Sequence, residues 1–258
     1  MEELDVLQLP DNGPIALIDA DSLLYYEMGK PTLQKAIDGL NNRLFHMLHM
    51  CGTSRFAGYL TLSKCFRYKV AETKSYKHNR KGGSKPIIFY ALREYLQQEW
   101  KMEHVSGLEA DDLVAMHSKP SGTVICSPDK DVLYQVAGTH FNFRTNEFIK
   151  TSKIEANRFL WKQTLMGDPT DGIGGIPKLG PKTADALLKK VKTGFEKIAI
   201  EKYVEKFGYY EGVCKFAETF KLVHILKTYE QAENAIGLNL SGSLVVNDIK
   251  HLNVTYAN

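Results

Sequence analysis

The sequence predicts an α/β fold, a central and mostly parallel sheet flanked by helices, with a helix-hairpin-helix segment in its C-terminal half. Three observations carry that expectation. Two short apolar runs each end in acids, amphipathic helical patterns lie between them, and a glycine-rich turn leads into a further helix. A chain of 258 residues with 43% hydrophobic content can bury one sizeable core and still carry an appended subdomain.

The first element is Pro14-Ile-Ala-Leu-Ile18, a run apolar enough for a strand covered on both faces, ending at Asp19. Leu33, Ile37, Leu40, Leu44 and Leu48 then recur at three-to-four-residue spacing and define one buried helical stripe. A strand is expected from Phe56 to Leu62. The segment Val70 to Pro86 is polar, basic and glycine-containing, and reads as a mobile loop or arch. A second helix carries Ile87, Ile88, Ala91, Leu92, Tyr95 and Leu96 on its inner face. Glu109 to His117 is expected as a helix entered through Ser106-Gly107, with its acids in the first turn and Leu113, Val114 and Met116 inward.

Thr123-Val-Ile-Cys126 repeats the strand-then-acid device, with Ser-Pro-Asp-Lys-Asp131 after it. In open α/β sheets ligands collect at the carboxyl ends of strands, so the two acid-bearing ends should face one crevice. Ser152-Lys-Ile-Glu155 has the spacing of a capping box and opens the helix that carries Trp161 and Leu165 toward Asp168. Beyond the hairpin, Ala184, Leu187, Leu188 and Val191 form one stripe, and Val213, Phe216, Phe220 and Val223 another. Ser243-Leu-Val-Val246 reads as an edge strand or a packed tail.

Nine carboxylates fall into four clusters: Asp19 and Asp21; Glu109, Asp111 and Asp112; Asp129 and Asp131; Asp168 and Asp171. A lone Asp-x-Asp is more often a turn or a cap than a ligand. Four clusters placed after strand ends or at helix starts point instead to a site for hard divalent cations, because magnesium and manganese prefer oxygen ligands. Two such ions about 4 Å apart activate water and clamp phosphate oxygens, the chemistry of phosphodiester hydrolysis. Calcium storage is the bland alternative, but the twelve-residue EF-hand pattern is absent.

Asp171 runs directly into Gly172-Ile-Gly-Gly-Ile-Pro-Lys-Leu-Gly-Pro-Lys-Thr183. Glycines let backbone come close to a ligand, and Pro181 suits the first turn of a helix. Gly174, Gly175, Lys178, Gly180, Lys182 and Thr183 are therefore candidate phosphate-backbone contacts that read no base. The alternative is a glycine-rich turn between packed helices.

A net charge of +3 conceals an uneven distribution. Thr61 to Lys101 holds ten cations against three acids, which suggests a polyanionic partner. Four scattered cysteines without a Cys-x-x-Cys argue against a disulfide framework or a zinc site. No run approaches the roughly 18 apolar residues of a membrane span, and the acidic start lacks the form of a signal peptide, so a cytoplasmic protein without membrane partners is expected.

Assembled, these motifs resemble the flap endonuclease and 5′ to 3′ exonuclease family, in particular its small bacteriophage type. The likeness runs from about Ile15 to Leu188. Leu-Ile-Asp-Ala-Asp21 resembles the family's first acidic strand, Leu108-Glu-Ala-Asp-Asp112 its Glu-x-Asp-Asp helix, and Ser127-Pro-Asp-Lys-Asp131 its Ser-x-Asp-x-Asp turn. Met166-Gly-Asp-Pro-Thr-Asp-Gly-Ile-Gly-Gly-Ile-Pro177 resembles the final acids plus hairpin. Tyr76-Lys-His-Asn-Arg80 is similar to the family's Tyr-Lys-x-Asn-Arg arch segment.

The resemblance implies a PIN-like 5′-nuclease core over residues 1–165, with an arch at 70–100. A helix-hairpin-helix subdomain at 166–230 and a packed tail at 231–258 would follow. It implies a monomer that uses two magnesium or manganese ions to cut DNA near a free 5′ end, a flap or a nick, with RNA in RNA–DNA hybrids left open as a second substrate. Glu109, Asp111 and Asp19 would hold one ion, and Asp131, Asp168 and Asp171 the other. Asp129 would act between them, with Asp112 as ligand or support. Lys77 and Arg80 would stabilise charge on the scissile phosphate, and Tyr76 would stack on an unpaired base. One departure stands out: no acid lies between Gly58 and Arg67, where family members carry one, so Asp21 or water would fill that place. A non-catalytic branched-DNA-binding protein and a helix-hairpin-helix DNA glycosylase are the competing readings. A role in replication or primer removal rests on the resemblance alone.

Overall fold

A computed structural model describes residues 8–80, 83–240 and 244–254. Lys81 and Gly82 of the basic segment, and Ser243 of the expected tail strand, lie outside the described residues. Along the chain the elements are β1 (Ile15–Asp19), α1 (Asp21–Glu27), α2 (Leu33–Cys51), β2 (Arg55–Tyr59), α3 (Arg67–Val70), α4 (Ile87–Gln98), α5 (Ala110–His117), β3 (Thr123–Cys126) and α6 (Lys130–Gln135). They continue with β4 (Gly138–Asn142), β5 (Glu147–Thr151), α7 (Lys153–Met166), β6 (Gly167–Asp168), β7 (Ile173–Gly174), α8 (Pro181–Leu188), α9 (Phe195–Phe207), α10 (Tyr209–Val223), α11 (Tyr229–Ile236) and β8 (Asn247–Asp248). No helix among the described residues is long and apolar enough to cross a membrane.

Two compact units interleave along the chain. The first comprises Met1–Lys64, Ser84–Thr151 and Leu226–Asn258, and the second Cys65–Gly83 and Ser152–Ile225. Their charges are opposite in sign: 14 Lys and Arg against 20 Asp and Glu in the first, 19 against 10 in the second.

The first unit is built on a six-stranded sheet of order β5-β4-β3-β1-β2-β8. Its centre is parallel, β1 pairing with both β2 and β3 and β3 with β4, while β5 and β8 run antiparallel at the two edges. The apolar runs at β1 and β3 are buried throughout their central residues, which is why they read as strands in the sequence. Leu40, Leu44 and Leu48 of α2 join Leu92 and Leu96 of α4, Phe56 and Trp100 in one core. Ile87, expected on the inner face of α4, is instead 81% exposed, because it opens the helix on its outer side and Phe89 takes the inward position three residues before Leu92. The β4–β5 hairpin escaped the sequence reading, since its exposed second strand alternates only weakly.

His140 on β4 is fully buried, and its Nε2–H donates to the Val136 carbonyl at 2.8 Å while Nδ1 has no partner. Burial holds its pKa below the ordinary 6.5. The unfolded chain therefore takes up a proton near pH 6.5 that the folded chain resists, and stability present at pH 7 is lost as the pH falls through that value. Urea midpoints at pH 7 and pH 5 should differ less in His140→Gln than in the wild type. An unchanged difference would remove His140 as a source of acid sensitivity.

In the second unit α7, α8, α9 and α10 enclose Trp161, Leu165, Ile176, Leu188, Phe195 and Tyr203. Ser152 caps α7 through the expected capping box with Glu155. Val213 departs from the expected stripe on α10 and is 38% exposed; Gly212, Thr219, Leu222 and Val223 are the buried positions of that helix.

Candidate metal and nucleic-acid sites

The carboxyl ends of adjacent strands bring acids of the first unit together. Asp19 ends β1 and is only 5% exposed; Ser127, just past β3, donates its hydroxyl to Asp19 Oδ2 at 2.8 Å. The same Ser127 Oγ accepts the Asp129 amide at 3.1 Å. Asp21 opens α1 and its Oδ1 accepts the Thr61 amide at 2.9 Å, while Thr61 Oγ1 accepts the Ala110 amide at 2.9 Å. A hydrogen-bonded chain thus links Asp129, Ser127 and Asp19 after β3 and β1, and another links Asp21 through Thr61 to the start of α5.

The first group is electrostatically coupled. Burial, with the negative charges of Asp21 and Asp129 beside it, pushes the Asp19 carboxyl up to about 7. Like charges packed in a desolvated place disfavour ionisation, and a cation would reverse that cost.

At the start of α5, Glu109 and Asp112 form a reciprocal capping box. Asp112 is fully buried, one oxygen accepting the Glu109 amide at 3.2 Å and the other the Leu226 amide at 2.9 Å. Lys227 beside it is itself desolvated, its pKa lowered to about 8. Asp112 thereby ties α5 to the chain entering α11. Asp111 Oδ1 accepts the Asp112 amide at 2.7 Å. Asp129 caps α6 by accepting the Asp131 amide at 2.8 Å, and Asp131 pairs with Lys130 at 2.9 Å.

In the second unit Asp168 is buried on β6, and its Oδ1 accepts the Thr170 amide at 2.8 Å. Asp171 receives the Tyr76 hydroxyl on Oδ2 at 3.0 Å, with Lys77 Nζ at 3.7 Å and an ion pair from Arg80. Two motifs some 90 residues apart in sequence, Tyr76–Arg80 and Asp168–Gly172, therefore meet. Asn79 Nδ2 donates to the carbonyls of Pro169 and Thr170, and the Lys77 amide donates to the Asp171 carbonyl at 2.9 Å.

Tyr76 corrects the sequence expectation. Its ring is 5% exposed, packed with Leu160, Ile173 and Leu222, so it presents no face on which a base can stack. The described residues from Ala71 to Arg80 form turns and bends, with helix resuming only at Ile87.

Whether these acids suit divalent ions has two answers. The donors are hard carboxylate oxygens, and the Asp19 cluster carries the charge imbalance that a cation would relieve, so donor type and charge fit. The arrangement is not preassembled: among the described residues no three Asp, Glu, His or Cys side chains form a group able to hold an ion. Each of the nine carboxylates instead accepts from a main-chain amide, a hydroxyl or a basic side chain. A carboxylate that accepts one such bond keeps lone pairs for an ion, so these donors orient the oxygens without excluding ligation.

The hairpin is formed as expected. Gly167 pairs antiparallel with Gly174, and the Ile176 amide donates to the Leu165 carbonyl at 2.9 Å. Gly180 precedes α8 without a side-chain cap, and Pro181 takes the first helical position. Lys182 and Thr183 thus sit in the first turn of α8, where main-chain amides point outward. Lys178 is exposed in a left-handed conformation with φ 66°. A cavity of about 740 Å³ opens beside this turn, lined in part by Lys74, His78, Lys178 and Lys215.

Ser127 and Thr61 are site-organising residues that the sequence reading did not assign. Ser127 stood inside a quoted motif, but Thr61 carried no signal. It occupies the stretch between Gly58 and Arg67 that lacks an acid, and it is what fixes Asp21.

No protein-family profile matches the chain. It is 26% identical over 204 residues to a 5′-3′ exonuclease of Buchnera aphidicola subsp. Schizaphis graminum, covering 69% of this chain and 70% of that protein. It is 29% identical over 133 residues to the flap endonuclease Xni of Shewanella oneidensis, covering 46% and 51% respectively. Among solved structures it superposes on a bacteriophage T5 flap endonuclease determined as a pseudo-enzyme-product complex with DNA and metal ions, with a TM-score of 0.62 at 15% identity over 86% of this chain and 93% of that one. The chain is similar in sequence to 5′-3′ exonucleases and to a flap endonuclease, and it shares its fold with the phage T5 flap endonuclease.

Proposed function

We propose that this protein is a divalent-metal-dependent, structure-specific 5′ nuclease that hydrolyses DNA phosphodiesters near a free 5′ end, a flap or a nick. The observation that carries this reading is the cluster of Asp19, Asp21 and Asp129 at neighbouring strand ends, in a chain whose other unit is strongly basic. Magnesium or manganese, when bound, supplies a hydroxide at neutral pH and charge stabilisation for the phosphorane. The proposed ligands are Asp19, Glu109, Asp111, Asp112, Asp129, Asp131, Asp168 and Asp171, for two ions, with Asp21 standing in for the acid missing before Phe66. Lys77 and Arg80 are proposed to meet the phosphate undergoing attack. Action as a monomer in the cytoplasm, and cleavage of RNA in RNA–DNA hybrids, belong to the same proposal.

The test is one gel. Purified protein incubated with a 5′-labelled flap, a nicked duplex and a single strand should release short 5′ fragments only when magnesium is present. Binding without cutting would favour the second reading, a non-catalytic DNA-binding protein. Release of free bases with an intact backbone would instead indicate a glycosylase.

The hairpin has its own expected result. Gly174, Gly175, Lys178, Gly180, Lys182 and Thr183 are proposed to hold the duplex backbone. Replacing Lys178 and Lys182 together with alanine should weaken duplex binding and lower the slope of log K against log salt by about 1.8, two phosphate contacts at ~0.9 each. An unchanged slope would remove these lysines from the interface.

A further inference from the structure

We propose that Asp171 and a substrate phosphate compete for the same two cations, Lys77 and Arg80, and that Tyr76 is the positioning residue that holds Asp171 when those cations leave it. The inference rests on the nuclease reading in taking a phosphodiester as the competitor and Asp171 as a metal ligand.

The contact is a built one rather than an incidental surface ion pair. Residues 77–79 are fastened to the 169–171 turn by the Lys77 amide and by two hydrogen bonds from Asn79, at 2.7 and 3.1 Å. Gly172 adopts φ +72°, and a side chain there would run into the His78 ring, so the sequence keeps the two segments in register. The backbone therefore keeps residues 77–79 beside the 169–171 turn even when the Lys77 and Arg80 side chains turn away.

Its three donors differ in how easily they can leave. The Arg80 side chain is 52% exposed and leaves most easily, while Lys77 is 17% exposed with its ammonium 4.7 Å from the centre of the Tyr76 ring. Tyr76 is anchored by its buried ring, with Tyr68 edge-on at 5.3 Å. A phosphodiester presents anionic oxygens of the same kind as a carboxylate, and guanidinium binds both as a fork. Lys77 and Arg80 can thus exchange one anion for the other. The Tyr76 hydroxyl cannot follow them, so it stays on Asp171 Oδ2 and fixes the carboxylate as its charge is uncovered.

The test uses the full chain and reads binding, not cleavage. In chelator, Asp171→Asn should bind a single-stranded oligonucleotide several-fold more tightly than Asp168→Asn, which removes the same charge from the same turn. That gain should vanish when Lys77 and Arg80 are also alanine. Equal affinities of the two Asn variants, or a gain that survives loss of both cations, would overturn the competition. Tyr76→Phe keeps the ring and its packing; it should leave oligonucleotide affinity in chelator and the melting temperature unchanged but weaken manganese binding, read from free-ion electron paramagnetic resonance, several-fold. Unchanged manganese binding would overturn the positioning role. Either failure leaves the nuclease reading standing, because magnesium-dependent cleavage by the unmodified chain is decided separately.

Discussion

Asp129→Asn is expected to lose at least about a hundredfold in magnesium-dependent cleavage while keeping, or slightly raising, the melting temperature. The activity loss follows from removing a proposed ligand, since even outer supports of a metal site are worth about 10–100-fold. Stability behaves differently for two local reasons. Asp129 caps α6 by accepting the Asp131 amide, and asparagine is as good a cap as aspartate. Its charge also contributes to lifting the Asp19 carboxyl to about 7, so neutralising it relieves a buried repulsion. Asp111→Asn should share the loss of cleavage. Asp112→Asn should also lose cleavage but differ in stability, since that carboxylate holds two buried amides beside Lys227, and its neutralisation should lower the melting temperature. Full activity in Asp129→Asn, or a destabilisation equal to that of Asp112→Asn, would contradict the division of labour between a charged cluster and a structural prop.

The second large effect is expected in the hairpin. A methyl group on Gly175 would fall inside the contact radii of the Met166 carbonyl carbon and the Gly167 amide, both main chain and unable to move aside alone. Gly174, its immediate neighbour, has open space. Gly175→Ala should therefore destabilise the second unit by about 3 kcal/mol, the upper end of ordinary overpacking, and abolish duplex binding in chelator. Gly174→Ala should do neither. Similar urea midpoints for the two variants would mean that the close approach of α7 and the hairpin strand is not what shapes this turn.

These two sites differ in how far they could be read from the chain alone. The strand ends at Asp19 and Asp129 were legible because β1 and β3 are continuous apolar runs, and an acid closely following such a run sits past the carboxyl end of a buried strand. The hairpin was legible because glycine and proline carry their own backbone instructions. The β4–β5 hairpin was not, since a half-exposed edge strand lacks both the apolar run and a clean alternation. Tyr76 was expected to stack on an unpaired base because Tyr76–Arg80 resembles the family's arch segment. Its burial depends on Leu160, Ile173 and Leu222, which are distant in sequence and carry no mark of that partnership. Thr61 was invisible for a related reason: a threonine between strand and loop says nothing of the Asp21 carboxylate that its amide will meet. What single-sequence reading missed, in each case, was pairing between segments rather than the nature of a segment.

Charge told a similar story at larger scale. A net of +3 gives little direction, and only the fold sorts the chain into a unit with more acids than bases and one with nearly twice as many bases as acids.

The most direct measurement is cleavage of a 5′-flap substrate in ¹⁸O-enriched water, with the product ends resolved by mass spectrometry. Hydrolysis by activated water predicts magnesium-dependent release of the flap with the heavy oxygen in a 5′-phosphate on the downstream product. No cleavage, cleavage undiminished by chelator, or heavy oxygen absent from that phosphate would contradict it.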